Sequence, residues 1–313
     1  QSIPGGNHPG PSHWRIGSIR PLTKTPVGET DSRLVLDDLT SLAQKTGRDW
    51  RLFEMKLRQY QVDAFASRVF EGNPAAVCPL DSWLSDAVLQ SIAQENNLSE
   101  TAFTVPSKRG YELRWFTPVH EVDLCGHGTL AAAFVFFEIL EFPQETICFE
   151  TRSGDLFVSR EDGFLVMDFP ATLPAPCNPE HELLEGLGRR PLEVYCTDTY
   201  LAVYETEEEI QTLTPNFDIL AGLNLSNVIV TAPGNKVDFV SRFFAPKFGI
   251  PEDPVTGSAH CMLAPLWATK MGKLSFRAKQ ISKRGGDLLC EVKGDRVILR
   301  GNAVLFSTGE IYL

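Results

Sequence analysis

The chain has 313 residues, 43% of them hydrophobic and 22% charged, with a formal net charge of -11. That length supports two domains with good cores, and the composition is that of a soluble globular protein. The acidic balance, with no basic stripe along the chain, excludes a nucleic-acid backbone as partner.

Residues 1–28 are rich in Gly, Pro, Ser and basic residues and read as a tail, with a short helix expected within 35–48. Met55 opens the first convincing strand, so 1–54 are expected to form an N-terminal extension: a processed leader, an upstream segment or an added remnant. Acidic Asp31, Asp37 and Asp38 oppose a transit peptide. Residues 56–64 alternate as a strand, and Gly72-Asn73-Pro74 marks a turn before the apolar 75–78. Ser85 is expected to cap a helix carrying Val88, Leu89, Ile92 and Ala93 on one face and ending near Asn96-Asn97. Glu100 then lies at a helix-to-strand junction, ahead of strands predicted over 101–105 and 111–116.

Residues 129–140 are apolar on every side except at Glu138 and fall short of the roughly 20 needed to cross a bilayer. They predict a core helix with a curved sheet wrapped around it, and no membrane partner. A hairpin is predicted from 156–160 and 164–168 around Glu161-Asp162-Gly163. Proline-rich 170–179 is the expected boundary between a first domain, 55–169, open to completion by the C-terminal strand, and a second, 170–313. The second half carries polar helical segments, strands at 227–231 and 237–244, a helix over 259–271 with a kink expected at Pro265, and a hairpin of 288–293 with 297–300. Strands outnumber helices, so the class is α/β (α+β) with mainly antiparallel or mixed sheets.

An internal repeat organises these elements. Arg114-Trp115-Phe116-Thr117-Pro118 returns as Arg242-Phe243-Phe244-Ala245-Pro246, and each copy leads through an acidic residue, Glu121 or Glu252, to a glycine turn and an alanine-rich helix. The turns are Cys125-Gly126-His127-Gly128 and Thr256-Gly257-Ser258-Ala259. Two like halves about a pseudo-twofold axis can point two helix N-termini at one cleft, where free N–H groups and the positive ends of the dipoles suit a carboxylate.

Seven cysteines without a CxxC pair fit free thiols in the reducing cytoplasm, and six scattered histidines show no metal-ligand spacing. From the residues alone, Glu100 reads equally as a solvated carboxylate and as an acid–base group. His127 reads as a cap or core histidine, Asp253 as a turn residue before Pro254, Ser258 as an N-cap, and Asn73 as either a turn former or a ligand contact.

Five ordered motifs, Gly72-Asn73-Pro74-Ala75-Ala76-Val77, Asn97-Leu98-Ser99-Glu100-Thr101, Arg114 to Pro118, Cys125 to Leu130 and Glu252 to Ala259, resemble the PhzF family of phenazine biosynthesis-like proteins from about Met55 to the C-terminus. The resemblance implies two pseudo-symmetric diaminopimelate epimerase-like domains, each a sheet wrapped around a central helix, and a homodimer. It also implies a cofactor-free, metal-free isomerase acting on a small carboxylate. By motif match the catalytic residues are Glu100, as base and acid, with His127 and Asp253 as polar companions. Asn73, Ser99, Gly126, Gly257 and Ser258 are the implied substrate contacts. For Glu100 to serve twice, burial is expected to raise its pKa. Related racemases use two opposed cysteines; Cys125 matches the first, while the second turn has none and Cys261 falls beyond it. A cysteine-assisted racemase therefore stays as an alternative, as does a non-catalytic binding or regulatory protein that keeps the cleft.

Overall fold

The computed structural model describes residues 55–313, which form one compact unit, Met55–Leu313. The expectations for 1–54 lie outside the described residues. Strand β1 (Lys56–Ala64) turns through Gly72 into β2 (Asn73–Pro79). Helix α1 (Asp86–Asn96) then leads to β3 (Glu100–Pro106), β4 (Tyr111–Phe116) and the two-residue β5 (Glu121–Val122). Helix α2 (Gly126–Phe134) follows and continues as a π-helical turn, Val135–Ile139. Strands β6 (Thr146–Thr151), β7 (Gly154–Glu161) and β8 (Phe164–Pro170) close the first half.

The second half opens with β9 (Ala175–Pro176), α3 (His181–Leu187), β10 (Glu193–Cys196) and β11 (Thr199–Val203). Short helices α4 (Glu207–Gln211) and α5 (Phe217–Ala221) precede β12 (Asn227–Pro233) and β13 (Phe239–Ala245). A 3-10 turn, Pro246–Phe248, and β14 (Ile250–Asp253) lead to α6 (Gly257–Met271), which runs as one helix through Pro265. Strands β15 (Ser275–Gln280), β16 (Gly286–Lys293), β17 (Arg296–Gly301) and β18 (Ala303–Tyr312) finish the chain.

The sheet topology repeats as the sequence does. β2 and β3 are parallel across α1, β4 returns antiparallel to β3, and β6 runs parallel to β4. Likewise β11 and β12 are parallel across α4 and α5, β13 is antiparallel to β12, and β15 runs parallel to β13. The two copies join where β8 pairs antiparallel with β17, Met167 opposite Leu299. The second half also lends a strand to the first, for β18 returns to pair with β1 along its whole length.

Helices α2 and α6 lie inside the resulting sheet network, and their apolar residues share one core with β1, β4, β8 and β17. His127 through Ala133 are all buried, as a helix without a polar face requires. Two smaller cores lie outside, one under α1 and one under α3, α4 and α5. Two local readings change. Ser85 stands at the N-cap of α1 without a side-chain hydrogen bond, and Asn97 ends that helix in the left-handed conformation. Helix α2 starts at Gly126, earlier than apolar periodicity indicates, because the Cys125 sulfur accepts the Gly128 N–H and completes the first turn.

The repeated arginines show why the motif recurs. Arg114 grips Glu121 through two nitrogens, each 2.7 Å from a carboxylate oxygen, and Arg242 grips Glu252 the same way at 2.7 and 2.9 Å. Each guanidinium also lies over the second aromatic ring of its motif, Phe116 or Phe244. Bidentate pairing tethers each strand to the chain that leads into its glycine turn.

Gly72 sets the approach to Asn73. Its φ of +67° suits glycine, and a Cβ there would meet the Ala64 carbonyl oxygen at 2.1 Å. Gly72→Ala is expected to destabilise the protein by about 3 kcal/mol, adding left-handed strain to a backbone shift, as read from the urea midpoint.

Candidate active site

The two glycine turns face each other. A Cβ built on Gly126 would stand 3.6 Å from the Gly257 Cα, and one on Gly257 would stand 3.7 Å from the Gly126 Cα. The N-termini of α2 and α6 therefore meet at one point. The side-chain cap of α2 engages only the Gly128 N–H, and α6 has no side-chain cap at all. Gly128 has its own reason: a Cβ there would lie 2.8 Å from the Trp115 ring, which packs against the turn.

A cleft of about 240 Å³ opens at this junction, lined by Glu100, Cys125, Gly126, His127, Asp253, Thr256, Gly257 and Ser258. Glu100, the first residue of β3, brings its Oε2 to 2.9 Å from the His127 Nε2. The two atoms are buried and face each other as an ion pair, with no further hydrogen-bond partner for either. Buried groups left unpaired beside a cleft are the atoms a bound molecule would satisfy.

Asn73 ties the halves together. Its amide donates to the Asp253 Oδ1 at 2.8 Å and to the Val255 carbonyl at 2.9 Å, which uses both hydrogens. Its 3.2 Å approach to the His127 Nδ1 is then a contact rather than a donated bond, and the Cys125 sulfur, 3.6 Å from that same nitrogen, is left to face an Nδ1 proton. On the other side Thr256 donates its hydroxyl to the Asp253 Oδ2. Gln280, fully buried, accepts the Thr256 N–H at 2.9 Å and donates to the Asp253 carbonyl at 2.8 Å.

Electrostatics follow from burial and these neighbours. Burial opposes a charge on His127, but the Glu100 carboxylate beside its Nε2 outweighs it and holds the ring protonated well above the usual histidine range. Burial pushes the Asp253 carboxyl up to about 6, with Glu100 adding to the rise and His127, Thr256 and Asn73 opposing it. Burial, reinforced by Glu100, raises the Cys125 thiol, which favours the uncharged form at neutral pH. Glu100, Cys125 and His127 also place ligand-type atoms within 4.8 Å of one another. Cys125 and Glu100 approach different ring nitrogens of His127, so one ion cannot take the set as it stands.

Of the residues singled out in the sequence, Glu100, Cys125, Gly126, His127, Asp253, Gly257 and Ser258 line the cleft together. Asn73 is fully buried behind it and touches Asp253 and His127 instead of the space itself. Ser99 is half-buried and does not line the cleft. Ser258 is not the N-cap: Thr256 holds that position, and Ser258 is exposed in the first turn of α6. Thr256 and Gln280 escaped the sequence reading, as did His120 and Phe248, whose rings pair at 6.4 Å at the cleft. The only signal for Thr256 was its alignment with Cys125 in the repeat.

The family model for phenazine biosynthesis-like proteins, PhzC-PhzF, matches residues 62–309. An uncharacterized isomerase of Pseudomonas aeruginosa is 53% identical over 259 residues, 83% of this chain and 100% of that protein. A crystal structure of a PhzF-family phenazine biosynthesis protein from Enterococcus faecalis is 50% identical, with a TM-score of 0.81 over 83% of this chain and 100% of its own. A hydroxyproline epimerase from Agrobacterium vitis, 12% identical, shares the fold alone, with a TM-score of 0.56 over 83% of this chain and 93% of its own. The chain belongs to the PhzC-PhzF family of phenazine biosynthesis-like proteins, and its mixed α/β fold is the one that family shares with epimerases. Among the described residues no helix is long and apolar enough to cross a membrane.

The raised Asp253 has a consequence for stability. A carboxyl with a pKa of about 6 folded and 3.8 unfolded binds more protons in the native state, so its contribution to stability falls as pH rises through that window. Asp253→Asn removes that fall. Urea unfolding at pH 4 and pH 7 should show the variant gaining on the parent by roughly 2 kcal/mol at the higher pH.

Proposed function

We propose that the protein is a cofactor-independent isomerase that moves a proton within a small carboxylate substrate held between the two glycine turns. The observation that carries this reading is the buried ion pair of the Glu100 Oε2 and the His127 Nε2, 2.9 Å apart and with no other partner, lining a cleft beside two converging helix N-termini. The substrate carboxylate binds to backbone N–H groups of the first turns of α2 and α6, which carry the positive ends of both dipoles. Glu100 takes a proton from a carbon of the substrate, the electron pair stays on the substrate, and the protonated His127 stabilises the charge that develops. Glu100 then returns the proton to a different atom of the same molecule, so no group is gained or lost. Asp253, fixed by Asn73 and Thr256, holds the second wall of the cleft.

Support for an isomerase also comes from relatives that carry that name. A two-thiol racemase is poorly served by this cleft: Cys125 is un-ionised, and Thr256 occupies the position opposite it.

Two variants test the assignment with a panel of small carboxylates in D2O, read by loss of carbon-bound proton signals. A carboxylate that takes up deuterium with the parent protein should lose exchange by 10²-fold or more in Glu100→Gln, within the range of a missing acid–base group. Full exchange in that variant removes Glu100 from the mechanism. Cys125→Ser should keep exchange within about tenfold, since one sulfur that caps a helix turn is a small electrostatic contribution; loss matching that of Glu100→Gln would favour the thiol as the base.

A further inference from the structure

The cleft does not end at the glycine pair. A second hollow, of about 320 Å³, adjoins it, and Leu124, Gly126, Asn227, Phe243 and Ser258 line both. The two spaces are therefore one trough. The first part holds Glu100, His127 and Asp253, the groups that carry charge. The second is walled mainly by Phe169, Pro170, Ala259, Cys261 and Met262, with Thr172 and Asp198 exposed among its lining residues. Burial pushes the Cys261 thiol up to about 12, so it too lines the space as an uncharged group. Leu124, at the junction, is 43% exposed and lines both parts of the trough.

We propose that the substrate is a carboxylate bearing an apolar substituent, with its carboxylate at the Gly126–Gly257 junction and its substituent in the second hollow, so that Phe169 and Met262 set specificity. This rests on the proposed function above, which places the carboxylate at the helix ends. The two parts are continuous past Gly126, which lines both and carries no side chain to divide them. A molecule no larger than its carboxylate and reacting carbon would leave the second hollow filled with water against apolar walls, which forfeits the burial those walls offer. Met262 packs against Thr197, whose hydroxyl lies 3.2 Å from its sulfur while giving its proton to the Asp198 Oδ1 at 2.9 Å.

The test uses straight-chain carboxylates, acetate, butyrate, hexanoate and octanoate, titrated against the full chain with ligand-observed NMR. Affinity should rise about threefold for each added methylene that enters the hollow. Met262→Trp should abolish the rise while leaving acetate within twofold of the parent, and Met262→Ala should keep it, which also controls for a folding defect at that position. Acetate binding without a rise, or a rise that Met262→Trp leaves intact, overturns the proposal and leaves the carboxylate site standing. Failure of all four carboxylates to bind removes the carboxylate site itself, and the proposal with it.

Discussion

The structure depends on one unfavourable contact, the meeting of two helix N-termini. Each end carries the equivalent of roughly half a positive charge, and at Gly126 and Gly257 the two backbones are separated by little more than a van der Waals gap. Like ends repel, so something must hold them and something must neutralise them. Holding is done by the β8–β17 ladder, by the β18 strand that the second half lends to β1, and by the core that α2 and α6 share. Neutralising falls to the acidic groups at the junction, Glu100 from the first half and Asp253 from the second. The feature that strains the fold is also the one that an anion would relieve.

Symmetry explains the layout but not the chemistry. The bidentate arginine pairs are nearly superposable in their distances, and both serve to tether the chain ahead of a glycine turn. At the turns themselves the copies diverge. The first has Cys125 and a charged His127, while the second has Thr256 and Ser258 with Asp253 behind them. A symmetric frame with asymmetric contents places a carboxylate–imidazole pair on one wall and a buried, hydrogen-bonded carboxyl on the other. Asn73 links the walls by donating across to Asp253 and Val255 while standing against His127.

Much of this was legible residue by residue. Strands at 56–64 and 111–116 follow from alternation and end where it ends, as observed for β1 and β4. The long apolar stretch was readable as a buried helix because no side of it is polar, whereas its true start at Gly126 depends on a sulfur cap that periodicity does not report. The repeated Arg-aromatic motif announced two like halves. Ser258 was misread as a cap because Ser is a common capping residue, but the chain places Thr256 at the non-helical position one turn edge earlier. Gln280 gave no signal, since a glutamine in a strand looks like any polar strand residue until its buried partners are known.

What the amino-acid sequence by itself determined was local and periodic: which stretches pair as strands, which helix must be covered, and which turns need glycine. Those follow from steric limits and from the spacing of apolar side chains, and both act within a few residues. What only the tertiary structure decided was non-local: that Gly126 and Gly257 touch, that Glu100 reaches His127 across an element boundary, and that a second hollow continues past them. Such contacts join residues far apart in the chain, and their distances are set by the summed packing of every strand between them, which no short window of sequence contains.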